Sequence, residues 1–130
     1  NERGMTAAIL ADGASPNVRT DRRRFDRILA NLIDNASAHG AGVRRIVVER
    51  VDQDVLVHVD DNGPGVPEQD RAGIFEPFNR GSKTDRSGSG LGLAIVVEQA
   101  RLIGAQVSVG DAPGGGARFT VRLHDTTAWN

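Results

Sequence analysis

The chain has 130 residues, the length of one ordinary domain, so a single domain over 1–130 is expected. Its 16 basic and 17 acidic side chains nearly cancel, so no global field draws it to nucleic acid or anionic lipid. It has no cysteine, which removes disulfides, zinc–thiolate sites and thiol nucleophiles, and no apolar run approaches the ~20 residues of a membrane span. The start at Asn1, without Met or signal peptide, is read as a fragment of something longer.

Thr6–Leu10 is a short apolar run that ends in an Asp12-Gly13 turn, and it predicts a strand. Asn17–Thr20 is a candidate extended piece. Asp21 is an N-cap, and Phe25, Ile28, Leu29, Leu32 and Ala36 follow at helical spacing, so a helix is expected from about Arg22 to Ala38. Gly40 is expected as its left-handed stop. Val43–Val51 and Val55–Asp60 are rich in β-branched residues and flank Asp52-Gln53-Asp54, which predicts a hairpin. Glu68–Ile74 reads as a short helix and Phe75–Gly90 as a long, polar, mobile loop. Leu91–Ile103 predicts a buried helix stopped by Gly104. Val107–Val109 and Ala117–Leu123 predict a closing hairpin, with a frayed tail from His124 to Asn130. The order predicts an α/β (α+β) two-layer sandwich: a mixed, mostly antiparallel sheet of about five strands with about three helices on one face.

Four stretches carry candidate chemistry, each beside a plainer reading. Asn31 and Asn35 lie one turn apart on one side of the first helix. They are either tolerated amides at the edge of the core or oxygen ligands for a hard cation such as Mg²⁺. Asp61 closes an apolar strand and precedes Gly63 and Gly65. It is either the start of a capped turn or a carboxylate that accepts from an amino group lying against glycine backbone, as adenine's would. Gly88-Ser89-Gly90-Leu91-Gly92-Leu93 opens a helix and can offer N–H groups to a phosphate, a weak signal by itself. The preceding loop carries Arg80, Lys83 and Arg86, either solvated or able to neutralise a polyphosphate. Seven of the 16 glycines lie between positions 63 and 92, where backbone must bend or approach something closely.

In this order and spacing the four stretches resemble the ATP-binding catalytic domain of sensor histidine kinases. Asn31-Leu32-Ile33-Asp34-Asn35-Ala36 resembles the family's N box, and Asp61-Asn62-Gly63-Pro64-Gly65 its first glycine box. Ile74-Phe75-Glu76-Pro77-Phe78-Asn79-Arg80-Gly81 resembles its F box, and Gly88-Ser89-Gly90-Leu91-Gly92-Leu93-Ala94-Ile95-Val96 its second glycine box. The resemblance implies an Mg·ATP site of the kind shared with gyrase, the Hsp90 chaperones and MutL. Asn35, helped by Asn31, would hold Mg²⁺. Asp61 would bond the adenine amino group beside Gly63 and Gly65. Phe75 and Phe78 would anchor a lid over about 75–90. Arg80 would face the phosphates or the partner domain, Lys83 would face the phosphates, and Gly88, Ser89, Gly90, Leu91, Gly92 and Leu93 would bring backbone N–H groups to them. Ala38 and His39 stand where the family often has Lys and Tyr, and Asn79 replaces its usual aromatic residue. His39 is therefore expected to take part of the Tyr role.

The resemblance further implies transfer of the γ-phosphate to a histidine on a separate dimerisation domain, upstream of a response regulator. His39, His58 and His124 do not fit that acceptor, so no residue is assigned as catalytic. The ATPase relatives place a Glu where Asn31 stands, so slow hydrolysis is expected. A monomeric domain on the cytoplasmic side of a membrane-anchored parent is expected by analogy. Two rivals remain: a stand-alone anti-sigma-type serine kinase of the same ATP fold, and a degenerate nucleotide-binding regulatory domain.

Overall fold

The computed structural model describes residues 9–12, 21–76 and 92–124, with backbone alone for 9–12. The elements are β1 (Ile9–Asp12), α1 (Arg22–His39), β2 (Val43–Val51), β3 (Asp54–Asp61), two 3-10 turns (Glu68–Asp70 and Gly73–Phe75), α2 (Gly92–Leu102), β4 (Gln106–Asp111) and β5 (Ala117–His124). The five strands form one sheet in the order β1-β2-β3-β5-β4. β1 runs parallel to β2, and every other pairing is antiparallel.

α1 starts where Asp21 Oδ1 accepts from the Arg24 N–H at 3.1 Å, which satisfies one of the orphan donors of the first turn. Ile28, Leu32 and Ala36 form its sealed stripe. They pack with Val96 and Ala100 of α2 against the inward residues of the sheet, Val55, Val57 and Val59 of β3 and Phe119, Val121 and Leu123 of β5. This is the expected two-layer arrangement. A bulge between Val43 and Arg45 shifts the β2–β3 register. It leaves Val43 inward, opposite Asp61, and turns Arg45 to the outer face, opposite Asp60.

The outer face is polar and paired across strands. Asp60, fully buried, accepts from Arg45 Nε at 2.9 Å and from Arg118 Nε at 2.7 Å and Nη2 at 3.0 Å. The Asp60 hydrogen bonds hold the Arg118 guanidinium even further above neutrality than usual. His58 is buried beside them and hydrogen-bonds Thr120 Oγ1 and Glu49 Oε2, each at 2.7 Å.

Several local expectations change. The short helix at Glu68–Ile74 is instead two 3-10 turns, so the described residues contain two α-helices rather than three. A segment this short, with Gly73 inside it, does not recover the cost of nucleating an α-helix. Gly40 caps α1 at φ −118°, outside the left-handed region, which is taken by Ala41 (φ 58°) and Gly42 (φ 97°). β1 overlaps the expected strand at Ile9 and Leu10 and runs on through Asp12. His124 belongs to β5 and hydrogen-bonds Asp54 at 2.9 Å, so the frayed tail cannot begin before Asp125. Gly104 does stop α2 in the left-handed region, at φ 73°. The expected extended piece at Asn17–Thr20 lies outside the described residues.

Candidate functional site: a glycine-walled cavity at the end of β3

Asp61 is the last residue of β3 and faces the helices, two positions after the inward Val59. Its Oδ1 accepts from the backbone N–H of Gly63 at 3.0 Å and of Ala117 at 2.9 Å. Both acceptor directions of that oxygen are used, so Oδ2 is the one that remains for an incoming donor. The carboxylate can come this close to backbone because three residues around it have no Cβ. A Cβ on Gly40 would overlap the Asp61 carboxylate, and one on Gly116 would overlap the Asp61 carbonyl oxygen. A Cβ on Gly63 would lie 2.7 Å from Gly40 Cα. Gly65 is set by conformation instead, at φ 87°.

A cavity of about 50 Å³ opens in front of Asp61, room for the edge of a base rather than a whole nucleotide. Pro64, Gly65 and Val66 form a loop wall of its lining, and Ala117 and Phe119 a strand wall. Ile74 and Leu93 add apolar lining, and Asn35 and His39 line it from α1. Phe75 packs edge-on against Phe119 with ring centroids 6.3 Å apart, which pins the second 3-10 turn to the sheet. A carboxylate acceptor in a largely apolar slot, with Asn35 and His39 the other polar side chains of its lining, suits a flat heteroaromatic ring with an exocyclic amino group.

Asn31 lies one turn before Asn35, outside this cavity. Its Nδ2 donates to the Arg27 carbonyl at 2.9 Å, and its Oδ1 turns to the first residue of α2, 3.7 Å from where a Cβ on Gly92 would be. An oxygen donor aimed at a helix start fits a hard cation shared with phosphate. Among the described residues no three His, Cys, Asp or Glu side chains gather as a metal cluster, so any such ion would rely on amide and phosphate oxygens.

Of the residues singled out in the sequence, the structure brings Asn35, His39, Asp61, Gly65 and Leu93 to one cavity, sets Gly63 and Phe75 against its lining residues Asp61 and Phe119, and puts Asn31 beside Gly92 outside it. Phe78, Arg80, Lys83, Gly88, Ser89, Gly90 and Leu91, and with them the expected lid, lie outside the described residues. His58 is on the far face of the sheet, away from this chemistry. Sequence reasoning missed Gly40 and Gly116 as walls of the Asp61 site. Gly40 reads as a helix stop and Gly116 as the end of a hairpin turn, and nothing local to either reveals the distant carboxylate.

The family profile described as "Histidine kinase-, DNA gyrase B-, and HSP90-like ATPase" matches residues 20–127. The signal transduction histidine-protein kinase AfsQ2 of Streptomyces coelicolor is 45% identical over 109 residues, 82% of this chain and 20% of that protein. The ATP-binding domain of PrrB from Mycobacterium tuberculosis superposes with a TM-score of 0.73 at 30% identity, over 93% of this chain and 80% of that one. Full-length ShkA, solved in complex with AMPPNP, superposes with a TM-score of 0.74 at 34% identity, over 94% of this chain and 26% of that one. The chain thus spans about a fifth of the length of the curated relatives it matches. Fold, site geometry and these likenesses agree: the chain belongs to the histidine kinase-, DNA gyrase B- and HSP90-like ATPases.

Proposed function

We propose that this domain binds Mg·ATP and presents the γ-phosphate to a histidine on a separate dimerisation domain of a sensor kinase, upstream of a response regulator. The observation that carries the reading is Asp61: one carboxylate oxygen saturated by two backbone N–H groups, the other left for the adenine amino group in a glycine-walled cavity. The names of the relatives, all histidine kinases or sensor proteins, support the same reading.

In this reading Asp61 orients the base, and Gly63 and Gly65 let it approach the backbone. Asn35, with Asn31, would hold Mg²⁺, which neutralises phosphate charge when bound. His39 lies one turn after Asn35 and serves on the phosphate side. Phe75 anchors the start of a lid that Phe78 also anchors. Arg80, Lys83 and the N–H groups of Gly88 to Leu93 complete the phosphate cradle. The acceptor imidazole nitrogen attacks the γ-phosphorus in line as ADP leaves, so the domain contributes position and charge stabilisation rather than a covalent intermediate. Neither His58, buried and bonded to Glu49 and Thr120, nor His124, bonded to Asp54, is placed to accept the phosphoryl group. The domain would work on the cytoplasmic side of its parent kinase, as a monomer in isolation.

The test is phosphoryl transfer from labelled ATP to a histidine-bearing helical-hairpin domain added in trans. An acid-labile, base-stable label on that domain is expected, with ATP hydrolysis by the chain alone far below one turnover per second. Transfer to a serine of an anti-sigma antagonist would favour the serine kinase instead. Absence of binding at millimolar Mg·ATP would overturn the proposal.

A further inference from the structure

We infer that Arg71 is a positioning residue that sets the width of the base cavity and so tunes selection of adenine; this rests on the nucleotide reading above. Arg71 follows the first 3-10 turn and lines no part of the cavity itself. Its guanidinium nevertheless joins the cavity's two walls. Nε donates to the Val66 carbonyl at 2.9 Å, and Nη2 donates to Asp111 Oδ1 at 2.9 Å. Val66 and Gly65 belong to the loop wall. Asp111 ends β4 and pairs in register with Ala117, whose N–H holds Asp61 Oδ1. One planar side chain therefore ties the backbone beneath the ring site to the strand pair that orients the carboxylate.

The two walls are unequal. The β4–β5 turn is braced from β2, where Arg44 Nη1 donates to the Gly115 carbonyl at 2.9 Å and Arg45 Nη2 to the Pro113 carbonyl at 3.0 Å. The loop wall from Asn62 to Pro67 has no regular structure: Asp61 Oδ1 holds its start at Gly63, and the Arg71–Val66 bond holds its far end. Arg71 thus draws a yielding loop to a fixed strand pair. The bidentate fork matters, because one flat group must reach a carbonyl and a carboxylate in two directions. A narrow slot favours a ring whose amino group meets Asp61 Oδ2 squarely. A guanine ring would set its carbonyl oxygen there, against the carboxylate, and a slack slot lets that ring tilt away from the repulsion.

The experiment is calorimetric titration of the chain, unsubstituted and as Arg71→Ala, Arg71→Lys and Asp111→Ala, with Mg·ATP and Mg·GTP, each variant melted in parallel. Arg71→Ala is expected to weaken ATP binding about 5–10-fold and GTP binding less, so the ATP-to-GTP preference narrows. Arg71→Lys, which can reach one partner only, is expected to fall between the two. Asp111→Ala should weaken ATP in the same direction, and the double variant should be no worse than Arg71→Ala alone, the mark of two groups acting together. In transfer to the hairpin domain, KM for ATP should rise with kcat unchanged. Arg71→Ala binding ATP as tightly as the unsubstituted chain, or losing ATP and GTP by one factor, would overturn the inference. If Arg71→Ala fails to fold, Arg71→Lys and Asp111→Ala decide the matter by the same preference ratio. If the unsubstituted chain itself binds no Mg·ATP, it is the nucleotide reading that fails.

Discussion

Asp61 Oδ1 holds two backbone N–H groups, the proposed function gives Oδ2 to the base, and a single substitution separates the two. Asp61→Asn keeps an acceptor for the Gly63 and Ala117 N–H groups but replaces Oδ2 by a donor, which would face the donor of an adenine amino group. Affinity for ATP is expected to fall about 10–100-fold, the ~1.5–3 kcal/mol of a hydrogen bond to a charged group. The melting temperature should fall by no more than about 4 °C, because the local backbone bonds survive. Calorimetry and a thermal melt on the same preparation check both numbers; equal loss of binding and stability would make Asp61 structural. At this scale the sequence was highly legible. An acidic residue at the end of an apolar strand before two glycines pointed to the carboxylate that lines the cavity. Only the folded chain shows why Gly40 and Gly116 must also lack a Cβ, since each meets Asp61 from a distant part of the sequence.

At the scale of elements, β3 and β5 are joined on their outer face by paired side chains rather than by apolar contact. Asp54, at the start of β3, accepts from His124 and Arg122 of β5. These hydrogen bonds, His124 first and Arg122 next, hold its carboxyl below the usual carboxylate range. A carboxyl depressed in the folded state adds stability above its unfolded value, about pH 4, and that stability is lost as pH falls through the folded value. The expected outcome is an Asp54 carbon titration, followed by NMR, with a midpoint below that of an exposed aspartate. Asp54→Asn should also flatten the acid side of the stability profile below about pH 4. The helices and hairpins were readable because periodicity and turn residues are local. The 3-10 turns were not, because the eight residues from Glu68 to Phe75 have few apolar positions, and their geometry is set by what Arg71 and Phe75 reach, Val66 and Phe119.

At the scale of the molecule, the site exists only as a product of the whole sheet. α1 supplies Asn35 and His39, β3 supplies Asp61, the following loop supplies Gly65 and Val66, and β5 returns from the other side of α2 to supply Ala117 and Phe119. Leu32 stands at the centre of the layer that holds these pieces together, with no exposed surface. Leu32→Ala should cost roughly 2–5 kcal/mol, the transfer energy of the lost side chain plus the cavity left behind. Chemical denaturation followed by circular dichroism should show an earlier midpoint with an unchanged slope. A cost under about 1 kcal/mol would mean that the two layers are not one cooperative unit.

The sequence by itself determined the fold class, the paired amides one turn apart and the acidic strand end beside its glycines, because each of these is a matter of local spacing and residue chemistry. Tertiary structure alone decided which oxygen of Asp61 is taken by backbone N–H groups, which glycines are needed for space rather than for conformation, and which arginine bridges Val66 and Asp111 beside the cavity. Those three outcomes depend on contacts between residues far apart in the chain, such as Asp61 with Ala117, 56 positions away, and Arg71 with Asp111, 40 positions away. Local propensity carries no record of such contacts, and only the closing of the sheet brings them within hydrogen-bonding reach.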